Sequence, residues 1–181
     1  MKSFSASRTG KMMIGMLAAG MESRLRYRFF GPQSILTGAD ILPGQHVLEL
    51  GCGTGFFTLP AARMIGERGS LVSMDIVPEA VDLVSRKVQG AGLKNITVIE
   101  GDAMNTGLDA DSFDTVLLFG VIPAPMLPLD RLLPEIRKVL KPGGMLAVWP
   151  PVPGWLPQSI LRSGLFSLSG KRNGVYKFQR A

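Results

Sequence analysis

Three glycines at alternate positions, Gly51, Gly53 and Gly55, follow directly on Val47-Leu48-Glu49-Leu50 and carry the clearest chemical signal in the chain. A residue without Cβ reaches positive φ and lets the backbone press against a ligand. Cys52 and Thr54, between the glycines, are small enough not to block that approach. A dinucleotide loop spaces its glycines G-x-G-x-x-G, so that a pyrophosphate rests on the helix that follows. Here the spacing fails: Phe56 stands where a count from Gly51 requires glycine, and Thr58 where a count from Gly53 does. Glu49, two residues before the loop, adds a negative charge that repels a pyrophosphate and suits a cationic ligand. Asp75 closes the next apolar run, twenty residues past Gly55. A carboxylate at a strand tip can accept from both hydroxyls of a ribose, a task common to several nucleoside-binding families.

These residues need strands to present them and helices to carry the chain back. The run at Val47–Leu50, after the Pro43-Gly44 turn, reads as a short parallel strand that feeds the glycine loop and a helix over Thr58–Ile65, with Gly66 as its C-cap. Pro60 is tolerable there only because it falls in the first turn. Ser70–Met74 reads as the second strand, Pro78–Gln89 as a helix ended by Gly90 and Gly92, Ile96–Glu100 as the third strand and Phe113–Phe119 as the fourth. Strands and helices at this spacing predict successive βαβ units, a parallel sheet with right-handed crossovers and a ligand at the C-terminal strand edge.

With these stations in place, Glu49–Gly55 resembles motif I of the class I S-adenosylmethionine (SAM) dependent methyltransferases. Asp75, Gly101-Asp102-Ala103 after the third strand, and Val139–Trp149 as helix, Pro142-Gly143-Gly144 turn and fifth strand are similar to the later motifs of that family. The resemblance covers roughly residues 45–150. It implies an α/β fold with a doubly wound, mostly parallel seven-stranded sheet, helices on both faces and a C-terminal antiparallel hairpin. It implies SAM as cofactor and S-adenosylhomocysteine as product. Asp75 would then bind the ribose, Ile76 cover an adenine face, Asp102 accept from the adenine amino group and the Ala103 N–H donate to the ring. The Gly51 and Phe119 carbonyls would hold the ammonium, Thr54 and the N–H groups of the loop from Cys52 through Gly53 and Gly55 the carboxylate, and Glu49 would orient the methionine portion. The run from Met21-Glu22-Ser23 through the glycine loop is similar to the small-molecule branch that includes the ubiquinone and menaquinone C-methyltransferases, which implies a small or lipid-like acceptor.

Composition agrees with this reading. A chain of 181 residues suffices for one domain with a substantial core. A single cysteine excludes an intrachain disulfide and a multi-cysteine zinc site and suits a reducing cytoplasm, and methyl transfer from a sulfonium requires no metal. The longest apolar run, Met12–Met21, is about half of the ~20 residues a membrane helix needs. It reads as part of an N-terminal helix over Lys11–Phe30 rather than a signal peptide. Residues 1–45 are expected to form a helical cap, with Tyr27, Phe29 and Phe30 as an apolar lid, over a cofactor-binding core of residues 46–181. The net charge of +6 divides into +4 over residues 1–45, +5 over 151–181 and −3 between. Both basic ends could address an anionic partner, against the plainer reading of solvated charges.

A short helix is expected from Pro32, ended by Gly38. Pro134 is expected to delay or kink the helix before Leu140, and Trp155–Ser163 to be helical. Leu165–Ser169 and Val175–Gln179 are expected to pair as a hairpin around Asn173-Gly174. No catalytic base is assigned. The only histidine, His46, sits at the N-terminal end of the first strand, away from the site; Cys52 reads as a small loop residue, and Tyr27 and Tyr176 as packing residues. The acceptor is therefore expected to be nucleophilic already, or activated by its own enolisable ring. The other readings are an RNA or protein methyltransferase docking through the basic ends, and a SAM-binding subunit without activity of its own. The sequence assigns no oligomeric state.

Overall fold

A computed structural model describes residues 31–122, 127–150 and 157–181. The predicted helix over Lys11–Phe30, the lid residues Tyr27, Phe29 and Phe30, and parts of both proline-rich loops lie outside these. The described chain runs α1 (Pro32–Leu36), a 3₁₀ turn (Thr37–Ala39), β1 (His46–Leu50), α2 (Thr58–Ile65), β2 (Ser70–Asp75), α3 (Pro78–Ala91), β3 (Ile96–Glu100), β4 (Phe113–Phe119), α4 (Leu129–Val139), β5 (Leu140–Trp149), α5 (Gln158–Arg162), β6 (Phe166–Arg172) and β7 (Val175–Arg180). The seven strands form one sheet in the order β3-β2-β1-β4-β5-β7-β6. β1 to β5 are mutually parallel, and β7 runs antiparallel to both β5 and β6. This is the doubly wound architecture that the sequence predicts.

Alternation along each strand divides the core between two faces. Leu48, Leu50, Met74, Val116, Leu118, Leu146 and Val148 face one side, where Leu132, Leu133 and Ile136 of α4 and Ile160 of α5 cover them. Val47, Leu71, Leu117, Phe119 and Ala147 face the other, against Ile35 and Leu36 of α1 and Ala61, Ala62 and Ile65 of α2. Val84 and Val88 of α3 join that second face against Cys52, Ile96 and Val98. On it the Phe57 ring meets Phe56, Phe119 and Trp149 edge-on, with centroids 4.9, 5.0 and 5.8 Å away.

The local differences from expectation each have a physical cause. Gly38 lies inside the 3₁₀ turn, which ends at Asp40 in the left-handed conformation. Gly90 lies inside α3, whose C-cap is Gly92 alone (φ 65°). α4 starts at Leu129 and runs through Pro134 without delay. Its amphipathic face of Leu132, Leu133, Ile136 and Val139 is fully buried, and that packing outweighs the hydrogen bond proline removes. Pro142-Gly143-Gly144 does not precede β5 but forms a bulge within it: Phe113 pairs with Leu140 and Thr115 with Met145, so three extra β5 residues loop out between the two pairs. The final hairpin turns on Asn173 and Gly174 alone, both at positive φ, as a two-residue turn requires.

The C-terminal cations are largely consumed by the fold. Arg172 and Lys177 both pair with Asp40, and Arg180 bonds Asp111 and the Leu140 carbonyl. Lys171 donates to the Tyr176 hydroxyl at 2.9 Å and lies over its ring. Beside Lys177 and Arg172 the Asp40 carboxyl is held below its ordinary range, even against some burial. Among the described residues no helix is long and apolar enough to cross a membrane.

Candidate cofactor site

The strand order reverses between β1 and β4, and the chain leaves β1 there through the glycine loop. Such a switch point opens a crevice at the C-terminal edge of the sheet. Gly51, Gly53 and Gly55 have φ of 76°, 52° and 78°, values that side chains rarely adopt. A Cβ on Gly51 would lie 2.7 Å from Val121 Cγ2, whereas one on Gly53 would meet nothing within 4 Å. The loop is tied down on several sides. The Gly51 and Cys52 N–H groups donate to the Met74 carbonyl at 2.8 and 3.2 Å, Gly53 N donates to Asp75 Oδ2 at 2.8 Å, and Lys87 Nζ of α3 donates to the Thr54 carbonyl at 2.9 Å. Asp75 Oδ1 accepts from Val77 N at 3.0 Å, so one carboxylate bridges the loop and the start of α3.

Beside the loop lies a cavity of about 250 Å³ lined almost wholly by apolar surface, near the lower end of the ~300–1,000 Å³ usual for ligand pockets. Of the residues singled out from sequence, Gly51, Asp75, Ile76, Asp102 and Ala103 line it together. Ile76 is 63% exposed, a large apolar side chain left uncovered at the cavity wall. Asp102 Oδ1 accepts from Met104 N at 2.8 Å, which turns the chain tightly after β3. Gly101 of the third motif lines it too, and Leu50, Met74, Met104, Val121 and Leu127 complete the wall; sequence reasoning missed these five because nothing local marks a core residue that also borders a cavity.

The other sequence candidates stand behind or beside the cavity. The Thr54 hydroxyl is buried and has no hydrogen-bond partner. Gly55 packs on Val84, where a Cβ would come within 3.1 Å of its Cγ2. Cys52 packs against α3, and burial pushes its thiol up to about 12, with the charges of Glu49 and Asp75 adding to the effect. The Phe119 ring turns to the face opposite the cavity, leaving its main chain at the strand end. Glu49 lies beneath the loop, 3% exposed, with Oε2 accepting from Thr58 Oγ1 and Ser73 Oγ, each at 2.6 Å. Burial raises this carboxyl to about 7, against the pull of the two hydroxyls and with the Asp75 charge adding to the rise. Ser73 was legible in principle, because the parallel register sets it directly beside Glu49; Lys87 carried no signal.

His46 lies at the far end of the sheet, where its Nδ1 pairs with Ser70 Oγ at 2.7 Å and its N–H donates to Asp114 Oδ2 at 2.7 Å. Tyr176 is buried in the core. Among the described residues no cluster of histidine, cysteine or acidic side chains could hold a metal ion.

A seven-stranded sheet of this order, with a glycine loop at its switch point and acids at the ends of β2 and β3, defines the Rossmann-like class I methyltransferase architecture. Residues 47–144, more than half of the chain, match the methyltransferase domain family, and the chain belongs to the class I SAM-dependent methyltransferases. It is 32% identical over 138 residues to the demethylmenaquinone methyltransferase of Lactobacillus johnsonii, covering 75% of this chain and 53% of that protein. It is 32% identical over 106 residues to the Bacillus cereus enzyme of the same name, covering 58% of this chain and 44% of that protein. The chain thus spans about half the length of the curated relatives it matches. A crystal structure of a SAM dependent methyltransferase from Aquifex aeolicus has the same fold, with a TM-score of 0.77 over 91% of this chain and 96% of that one at 22% identity.

Proposed function

We propose that the chain transfers a methyl group from SAM to a small, lipid-like acceptor of the quinone type. The observation that carries the cofactor reading is the pairing of Asp75 and Asp102 around an apolar slot beside the glycine loop. That arrangement fits a nucleoside: Asp75 keeps acceptor capacity for the ribose hydroxyls, Asp102 faces the adenine amino group, and Ile76 and Ala103 flank the ring. The unpartnered Thr54 hydroxyl and the N–H groups of the loop suit a carboxylate, and the Gly51 and Phe119 carbonyls suit an ammonium.

Bound SAM supplies an electrophilic methyl on a sulfonium. The chain's part is to hold the acceptor in line and keep water away, and orientation of that kind lowers a barrier by several kcal/mol. Val121 and Leu127, at the wall that borders the β4–α4 connection, supply apolar surface for that purpose. Among the described residues no histidine approaches the cavity, and no lysine or tyrosine lines it. A ring carbon made nucleophilic by its own phenolate takes the methyl, and the ring proton then returns to that oxygen by tautomerisation, so the protein need supply no base. The names of the curated relatives support a quinone nucleus as that ring. The internal pairing of Arg172, Lys177 and Arg180 leaves less cationic surface for a nucleic acid, which supports the small acceptor over an RNA.

The test is transfer of labelled methyl from SAM into a cell extract, partitioned into lipid, small-molecule, RNA and protein fractions, with Asp75→Ala as the blank. Label in the lipid fraction, absent from the blank, is expected. Label confined to RNA or protein would overturn the acceptor reading. SAM bound without any transfer, even to purified demethylated quinone kept reduced as the quinol by added dithionite, would point instead to a subunit without activity of its own.

A further inference from the structure

Glu49 lies enclosed beneath the loop with hydroxyl donors but no counter-ion. Both of its hydrogen bonds fall on Oε2, from Thr58 and Ser73, and no lysine, arginine or histidine pairs with it among the described residues. Burial of a carboxylate without a cation favours its protonated form. Each element packed around it has a definite contribution. β2 brings Ser73 in register and Asp75 two residues further on; α2 brings Thr58; the glycine loop brings Cys52; β4 places uncharged Leu117 in register; α3 sends Lys87 to the Thr54 carbonyl. The charge that acts on Glu49 from these elements is that of Asp75, an acid, which reinforces the neutral state. A cation arriving at the loop would reverse that balance.

Resting on the reading that SAM binds at the glycine loop, we propose that Glu49 is a specificity-determining counter-charge: protonated while the site is empty, it ionises when a sulfonium binds, so the chain holds SAM more tightly than the neutral sulfide product. The proton passes to solvent. Glu49 acts through the loop in front of it, and Thr58 and Ser73 are positioning residues that hold its carboxylate by the oxygen that would carry the charge. Burial that raises the carboxyl to about 7 places the exchange near neutral pH. Once the methyl has left, the sulfur is uncharged, Glu49 regains its proton, and the product loses the interaction that favoured SAM.

SAM and S-adenosylhomocysteine share adenine, ribose, ammonium and carboxylate, and differ by one methyl and one charge on sulfur. Any pH dependence arising from Asp75, Asp102 or the ligand's own amine is therefore common to both. The experiment is calorimetric titration of the full chain with each ligand between pH 5.5 and 8, in buffers of different ionisation enthalpy. Affinity for SAM relative to S-adenosylhomocysteine is expected to rise about tenfold across that range and level off above pH 7. Excess proton release is expected with SAM only. Glu49→Gln should flatten this ratio, whatever change it makes in the affinity common to both ligands, and Ser73→Ala, which removes one donor to the carboxylate, should move the midpoint to higher pH. Parallel pH profiles for the two ligands, or a pH-dependent ratio that survives in a folded Glu49→Gln protein, would overturn the proposal. Failure of both ligands to bind the folded wild-type chain would overturn the cofactor reading beneath it.

Discussion

The Gly53 N–H donates to Asp75 Oδ2 at 2.8 Å, joining the tip of the glycine loop to the carboxylate at the end of β2. With Val77 N on the other oxygen at 3.0 Å, Asp75 sets the loop and α3 relative to one another while facing the cavity. Loop shape and the proposed ribose contact thus depend on one side chain.

Asp75→Ala should therefore lose cofactor affinity twice over, through the ribose and through the loop. A fall of at least tenfold is expected, with a stability loss of about 1–2 kcal/mol from the two backbone donors left without an acceptor. Calorimetry with SAM and urea denaturation measure the two effects separately; affinity within twofold of wild type would show that Asp75 does not face the ribose.

Glu49 gives stability a definite pH dependence. Its carboxyl titrates near 4.5 when unfolded and near 7 in the fold. Below both values each state is protonated and the contribution is fully present. Between them the unfolded chain releases a proton that the folded chain keeps, so stability falls as pH rises, by about 3 kcal/mol in all. Asp40, Asp114 and Glu135, whose carboxyls are held below their usual values, act in the opposite sense, losing stability as pH falls through the acid range. Denaturant unfolding at pH 5 and pH 8 should show Glu49→Gln gaining on wild type at the higher pH; an equal difference at both would refute the assignment.

Cys52 should be inert. Its thiol, buried against Val84 and Val88, is pushed up to about 12, so the reactive thiolate is negligible at pH 8. A chromogenic disulfide reagent should label it only as fast as the chain unfolds, and rapid labelling under native conditions would contradict its placement.

Asp40→Ala removes the shared partner of Arg172 and Lys177. Because the acid is about 40% exposed, the stability loss should stay below about 1 kcal/mol. The freed cations should strengthen salt-sensitive retention on heparin relative to wild type. Unchanged retention would mean that these charges were never withdrawn from the surface by pairing.

Phe57→Ala should be the most damaging of these changes. The ring is 4% exposed and meets three other aromatic rings, Phe56 beside it before α2, Phe119 of β4 and Trp149 of β5. A loss of about 3–5 kcal/mol is expected in thermal or urea unfolding; a loss under 1 kcal/mol would mean that the cluster repacks.

What the sequence determined by itself was local. Alternation at Val47–Leu50 and Phe113–Phe119, glycines at the positive-φ positions of the loop, and acids at Asp75 and Asp102 where apolar runs stop were enough to place five strands, the loop and part of the cavity wall. These signals are legible because side-chain period and backbone freedom are properties of neighbouring residues. Tertiary structure decided what each side chain faces. Glu49 stands two residues before the loop, yet the strand turns it under the loop onto Ser73 and Thr58, while Asp75, twenty residues past the loop, borders the cavity. In sequence the C-terminal cations read either as solvated charges or as a surface for a partner; β7 brings Lys177 and Arg180 to Asp40 and Asp111, well over a hundred and nearly seventy residues away. Pairing across such distances depends on which strands neighbour each other, and no local pattern encodes that.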